Sequence, residues 1–201
     1  AGRYGEAAAD YREVLRINPG DREIRQSRER ALAGRELAPR TSMAEDARTP
    51  DRGLRRDGER TIKREPRRDR PATPGPGLRP EEKRAAANHF NRGIDLAKKG
   101  RPEQAIRELT RSVRLDPDQS GAYIERGRLY AERGDLVKAG DDYDRAIALR
   151  PESPSLYYNR GIILYRKGLY RRAVKDFSLA IALDPGSPES FNNRGSALLA
   201  A

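Results

Sequence analysis

The chain has 201 residues, of which 36% are charged and 35% hydrophobic, too little apolar material for one compact globule of that length. A smaller folded part joined to a solvated part fits better. The absence of cysteine excludes disulfides, cysteine-ligated zinc and thiol catalysis, and the longest apolar runs, such as Ile162–Tyr165, are far too short to span a membrane. The net charge is +11, and 35 of the 42 basic residues are arginine, which favours forked pairing with carboxylates or phosphates, although a GC-rich genome alone also yields that bias. None of this fixes a compartment; the cytoplasm is the default expectation.

At the start of the chain, Gly2, Ala7, Tyr11 and Pro19 keep the spacing of Gly134, Ala139, Tyr143 and Pro151, and Asp10 falls where Asp142 does. Residues 1–19 therefore read as the second helix of a two-helix unit. Asp21 to about Ala38 is a further helix candidate. Its apolar stripe is thin (Ile24, Ala31, Leu32), as suits an end helix with one face in water. From Pro39 to Pro80 the periodicity vanishes. Twelve basic residues stand against seven acidic ones, Leu54, Ile62 and Leu78 are almost the only large aliphatics, and Thr73–Gly77 can be neither helix nor strand. So little apolar surface cannot offset the entropy of ordering, and the sequence predicts a disordered linker over 39–80.

Beyond it, one period of 34 residues organises everything. It carries Gly93, Gly127, Gly161 and Gly195; Gly100, Gly134 and Gly168; Pro117, Pro151 and Pro185. It also carries Ala105, Ala139 and Ala173; Arg92, Arg126, Arg160 and Arg194; and the acids Glu108, Asp142 and Asp176. Each unit reads as two helices. Tyr123, Gly127 and Tyr130 form a stripe that Gly134 ends, and a second stripe, Leu136 to Leu149, stops at Pro151. The spacings predict helices at about 81–99, 102–115, 120–133, 136–149, 154–167, 170–183 and 188–200, with no strands. A unit of this kind cannot bury its apolar face alone and must stack on copies of itself.

Tyr123-x-x-Arg126-Gly127-x-x-Tyr130, then Ala139-x-x-x-Tyr143-x-x-Ala146 and Pro151, resembles the tetratricopeptide repeat, departing from it at Arg126 where the family has an aliphatic residue. Tyr157, Gly161, Leu164, Ala173, Phe177, Ala180 and Pro185 repeat the pattern. His89, Gly93, Leu96, Ala105, Leu109, Ser112 and Pro117 do so more weakly. The resemblance implies an all-α α-solenoid. Full units are expected at 86–119, 120–153 and 154–187, the first helix of a fourth at 188–201, and a partial unit with a capping helix at 1–38. Incomplete units at both ends lead to the expectation of a longer protein. The Asn-Arg-Gly triplets at 91–93, 159–161 and 193–195 give the repeats a bacterial-type look.

His89, the one histidine, stands in the column of Tyr123, Tyr157 and Phe191 and is expected to pack there. With no second histidine, neither a catalytic triad nor a conventional zinc site can be built. Asp141, Asp142 and Asp144 lack the glycine and distal glutamate of a calcium loop, and no GKS or GKT follows Gly75–Gly77. No catalytic residue, metal or other cofactor is therefore expected. The arginine and acid columns are expected to pair, tying first helices to second ones.

The asparagine column, Asn91, Asn159 and Asn193, with Glu125 breaking it, is the candidate binding feature. The resemblance implies that it faces a concave groove shared by Tyr158, Ile162, Tyr165 and Arg128. There it would hold the backbone of an extended peptide, much as in the asparagine ladder of O-linked N-acetylglucosamine transferase arrays. Hydrogen bonding between helices is the alternative use of the same residues. The lysine-and-asparagine clamp of chaperone-tail binders is not matched, because its columns hold Phe90 and Ile94, Glu125, then Ser155 and Asn159. The expected function is a protein or peptide-binding scaffold. Polyanion or nucleic-acid binding through the arginine-rich linker is the alternative. Against it, the linker's acids dilute its charge and no aromatics interleave to stack on bases. Service as the regulatory array of an enzyme domain outside these residues is a third reading. Partner identity and oligomeric state do not follow from the sequence.

Overall fold

The computed structural model describes residues 2–37 and 78–201. The linker expected at 39–80 lies almost wholly outside them. The described residues form α1 (Gly2–Ile17), α2 (Arg22–Leu37), α3 (Pro80–Lys98), α4 (Pro102–Leu115), α5 (Ser120–Glu132), α6 (Leu136–Leu149), α7 (Pro154–Arg166), α8 (Tyr170–Leu183) and α9 (Pro188–Ala200), and no strand among them. Each helix packs on its neighbours in the order α3 to α9, and α1 then packs on α9 and α2 on α1.

Local chemistry sets the boundaries. Proline opens α3, α4, α7 and α9, where its missing N–H is no loss. Gly100, Gly134 and Gly168 end the first helices with φ of 68°, 82° and 73°, a left-handed conformation that leaves orphan carbonyls partnered. The N–H of Arg101 reaches the Leu96 carbonyl at 3.0 Å, that of Asp135 reaches Tyr130 at 2.9 Å, and that of Leu169 reaches Leu164 at 2.9 Å. Asp116, Arg150 and Asp184, each before a proline, leave the helical region, as the following ring demands.

The core is a row of small clusters, one per contact between units, as expected of a solenoid. Ala105, Ala139 and Ala173 are completely buried, and so is Ala7 at the equivalent place in α1. Opposite them lies the glycine column. A Cβ on Gly93 would stand 2.7 Å from Leu109, and one on Gly161 would stand 2.7 Å from Phe177. One on Gly195 would stand 3.0 Å from Tyr11, and one on Gly127 3.2 Å from the Asp142 Cβ.

Tyr11 thus stands to Gly195 as Phe177 does to Gly161. The sequence places residues 1–38 in a unit of their own. In the structure α1 occupies the place against α9 that α8 occupies against α7. Ala7, Ala8, Tyr11 and Val14 share a core with Leu198, flanked by Phe191 and Leu199.

Candidate functional site

The repeated arginines are the most regular polar feature of the molecule. Arg126 grips Asp142 in a fork of 2.9 and 2.6 Å, Arg160 grips Asp176 at 2.7 and 2.8 Å, and Arg194 grips Asp10 at 2.9 and 2.5 Å. The third guanidinium nitrogen reaches back to the preceding second helix. Arg126 donates to Thr110 at 3.1 Å, Arg160 to Asp144 at 2.7 Å, and Arg194 to Ser178 at 3.2 Å. Thr110, Asp144 and Ser178 form a further column at the repeat period. It escapes notice in the sequence because its three residue types share only a polar oxygen.

Each of these arginines also lies over an aromatic ring, Tyr123, Tyr157 or Phe191, with centroid distances of 5.6–5.8 Å. Burial pushes the Asp142 and Asp10 carboxyls above their ordinary value, against the pull of their arginines. Burial likewise opposes the Arg126 charge, but the fork and charge of Asp142 outweigh it and hold the guanidinium above its usual value. Replacing both members of such a buried pair by apolar residues is often neutral for stability, whereas removing one member is costly.

The first unit departs from the expected pairing. Arg92 stays exposed, and Glu108 instead bonds His89 Nδ1 at 2.7 Å and accepts from Arg111 at 2.5 Å. The cause is His89 itself. A histidine in the aromatic column offers a polar nitrogen where tyrosine or phenylalanine offers a ring face, and it takes the acid. That hydrogen bond holds the Glu108 carboxyl below its usual value. His89 is therefore a polar partner as well as a packed ring. Of the acidic cluster, Asp142 and Asp144 serve the arginine column, and Asp141 is exposed.

The candidate binding residues fall into two groups. Tyr158, Ile162, Tyr165 and Asn193 come together between α7 and α9. A hollow of about 300 Å³ is lined there by Ile162, Tyr165, Phe177, Asn193 and Ser196. Asn193 Nδ2 donates to the Tyr158 hydroxyl at 3.0 Å, which leaves its carbonyl and second N–H uncommitted. Tyr165 is 37% exposed and meets Tyr170 edge to face, with centroids 5.2 Å apart.

The other candidates lie apart from the hollow. Asn91 is exposed on α3 and Asn159 half-buried on α7. Arg128 is held between Glu125, at 3.1 Å, and Glu132 on the same helix. Two residues that the sequence assigns to the packing columns and not to the groove belong to this region. Phe177 floors the hollow from the core column. Tyr11 stands behind it, its hydroxyl 3.3 Å from Ser196 Oγ. Among the described residues, no three histidine, cysteine or acidic side chains gather as a metal site requires, and no helix is long and apolar enough to cross a membrane.

Two family models, each described as tetratricopeptide repeat, match residues 90–154 and 127–197. The chain carries tetratricopeptide repeats, and its fold is their all-helical solenoid. Solved structures agree. The first tetratricopeptide domain of Spaghetti (RPAP3), bound to HSP90 peptide SRMEEVD, is 24% identical with a TM-score of 0.56; the match covers 59% of this chain and 96% of that one. The second domain of the same protein, bound to the same peptide, is 25% identical with a TM-score of 0.50, over 52% of this chain and 96% of that one. A crystal structure of MamA protein is 25% identical with a TM-score of 0.55, over 57% of this chain and 63% of that one. No curated protein sequence matches the chain.

Proposed function

We propose that the chain is a scaffold that binds an extended peptide along the face formed by α3, α5, α7 and α9. An apolar or aromatic side chain of the peptide enters the hollow between Ile162 and Tyr165. The observation that carries this reading is the hollow itself: an apolar floor, Phe177 and Ile162, ringed by polar groups from Asn193 and Ser196, at the small end of the size range for ligand pockets. Asn193 and Asn159, with Asn91 further along, supply donors and acceptors for the peptide backbone. The Asn-Arg-Gly triplet, which we read as bacterial in type, divides the work: arginine and glycine build the stack, and asparagine faces the ligand. A peptide-bound relative with the same architecture supports the general mode. The chemistry of the ligand differs, because Glu125, Phe90 and Ile94 stand where an acidic peptide tail would need cations.

The test begins by panning a library of unstructured peptides against the full chain and titrating the selected sequence. Asn159→Ala with Asn193→Ala should weaken its binding about tenfold. Loss of the Asn193–Tyr158 bond alone should lower stability by no more than about 1 kcal/mol. Ile162→Glu, which sets a charge in the hollow, should weaken binding by at least that much. SRMEEVD should bind at least about tenfold more weakly than the selected peptide. Equal affinity for all folded variants would place the binding surface elsewhere and leave the asparagines as architecture.

A further inference from the structure

The seat of α1 on α9 has a property that the other helix contacts lack. In chain order α3 to α9, every helix is joined to the one it packs on by a short turn. Helix α1 belongs to the same stack only through its packing and through residues 38–77, which connect α2 to α3 at the opposite end.

Every element of the repeat contact is nevertheless present at this seat. The fork from Arg194 to Asp10 copies those of Arg126 and Arg160, the Gly195–Tyr11 approach copies Gly161–Phe177, and Ala7 is buried as Ala173 is. Nothing in these contacts depends on which copy of the chain supplies α1. Forty residues can extend to about 130–140 Å. The nine helices of the described residues, in two layers about 8–10 Å apart, make a stack of only about 40–50 Å. The connection therefore reaches the chain's own α9 and equally that of a neighbour.

We infer that the α1–α2 pair is an exchangeable cap and that the partner of the α9 face is a second copy of this chain, which donates its α1–α2 in a reciprocal dimer. Reciprocal exchange fills both α9 seats under two-fold symmetry. Because the cap and its seat belong to one chain, closure within that chain is unimolecular and dominates in dilute solution. Exchange takes over when closure is blocked or the protein is concentrated. The inference rests on the α1–α9 contact alone and is independent of peptide binding.

Charge reversal isolates it. Asp10→Arg sets two guanidinium groups against each other in its own seat, and Arg194→Asp sets two carboxylates against each other. Each variant alone should run at the 22.6 kDa of one chain. Mixed in equal amounts, they restore one native pair and one reversed pair across two chains. The mixture should therefore run at twice that mass in light scattering. A chain carrying both substitutions restores the pair internally and should return to the single-chain mass. A mixture that stays at the single-chain mass, while both variants keep the helix content of the parent, overturns the inference.

If either variant fails to fold, the unaltered chain decides. Ordinary and heavy-isotope copies are mixed in urea, refolded together at high concentration and analysed by native mass spectrometry. Dimers holding one copy of each support the exchange, and monomers alone overturn it.

Discussion

Replacing Gly161 with leucine should lower the stability of the array by about 3 kcal/mol or more, as overpacking does where the surroundings cannot yield. The surroundings here are specific. A bare Cβ already stands 2.7 Å from the Phe177 ring, which is 1% exposed and held by the cluster of Leu164, Ala173 and Ala197. The ring cannot swing aside without opening the contact between α7 and α8. Gly127→Ala should be milder, since its nearest neighbour is the Asp142 Cβ at 3.2 Å. Gly140→Ala reverses the sign. Its Cβ would meet only Ile163, at 4.0 Å, so the gain in helix propensity, up to about 1 kcal/mol, should prevail. Urea unfolding of the three variants checks the order. Gly161→Leu as stable as the parent would remove the packing role assigned to the whole glycine column.

The second large effect is expected at Asp142. Asp142→Ala leaves Arg126 beneath the surface, its side chain 15% exposed, with Thr110 as its remaining hydrogen-bond partner. An orphaned charge of this kind costs about 3–5 kcal/mol, more than the pair contributes when intact. Removing both charges should therefore hurt far less than removing one. Arg126→Met with Asp142→Leu is expected within about 1 kcal/mol of the parent. The double-mutant cycle reads this directly. A double variant as unstable as Asp142→Ala would mean that the fork is a genuine source of stability here and not chiefly a device of register.

These two cases also mark how far the sequence can be read. The glycine and arginine columns are legible because they repeat, and a period of 34 turns each unit into a copy of its neighbour. The helix boundaries follow for the same reason, with α3 running Pro80–Lys98 against the predicted 81–99. Arg92 shows where a period misleads. Its column predicts a pair with Glu108, but a single neighbour of different chemistry, His89, captures the acid. A period reports what units share, and His89 is what one unit does not share.

The docking of α1 on α9 lies beyond reach for another reason. Tyr11 and Asp10 identify the kind of helix to which they belong, and nothing in their spacing says which first helix they will meet. At the candidate site, the asparagines announce a polar row at the repeat period. The hollow also needs Phe177, which reaches it from the packing column of α8, a different helix, and no spacing along one helix encodes that.

The contact between α1 and α9 also sets an order of events in folding. Arg160 and Asp176 lie 16 residues apart in sequence, whereas Asp10 and Arg194 lie 184 apart. For a flexible chain, closing the longer loop costs about 2 kcal/mol more entropy. Low contact order favours speed, so α3 to α9 should assemble first and α1–α2 should arrive in a separate, slower phase of refolding. A circular permutant exposes the cause. Opening the chain within 38–77 and joining Ala201 directly to Gly2 restores, between Arg194 and Asp10, the same interval that separates Arg160 from Asp176. In that chain the slow phase should vanish while the native contacts remain, because the last helix pair would then follow α9 along the polypeptide as each unit follows the one before it.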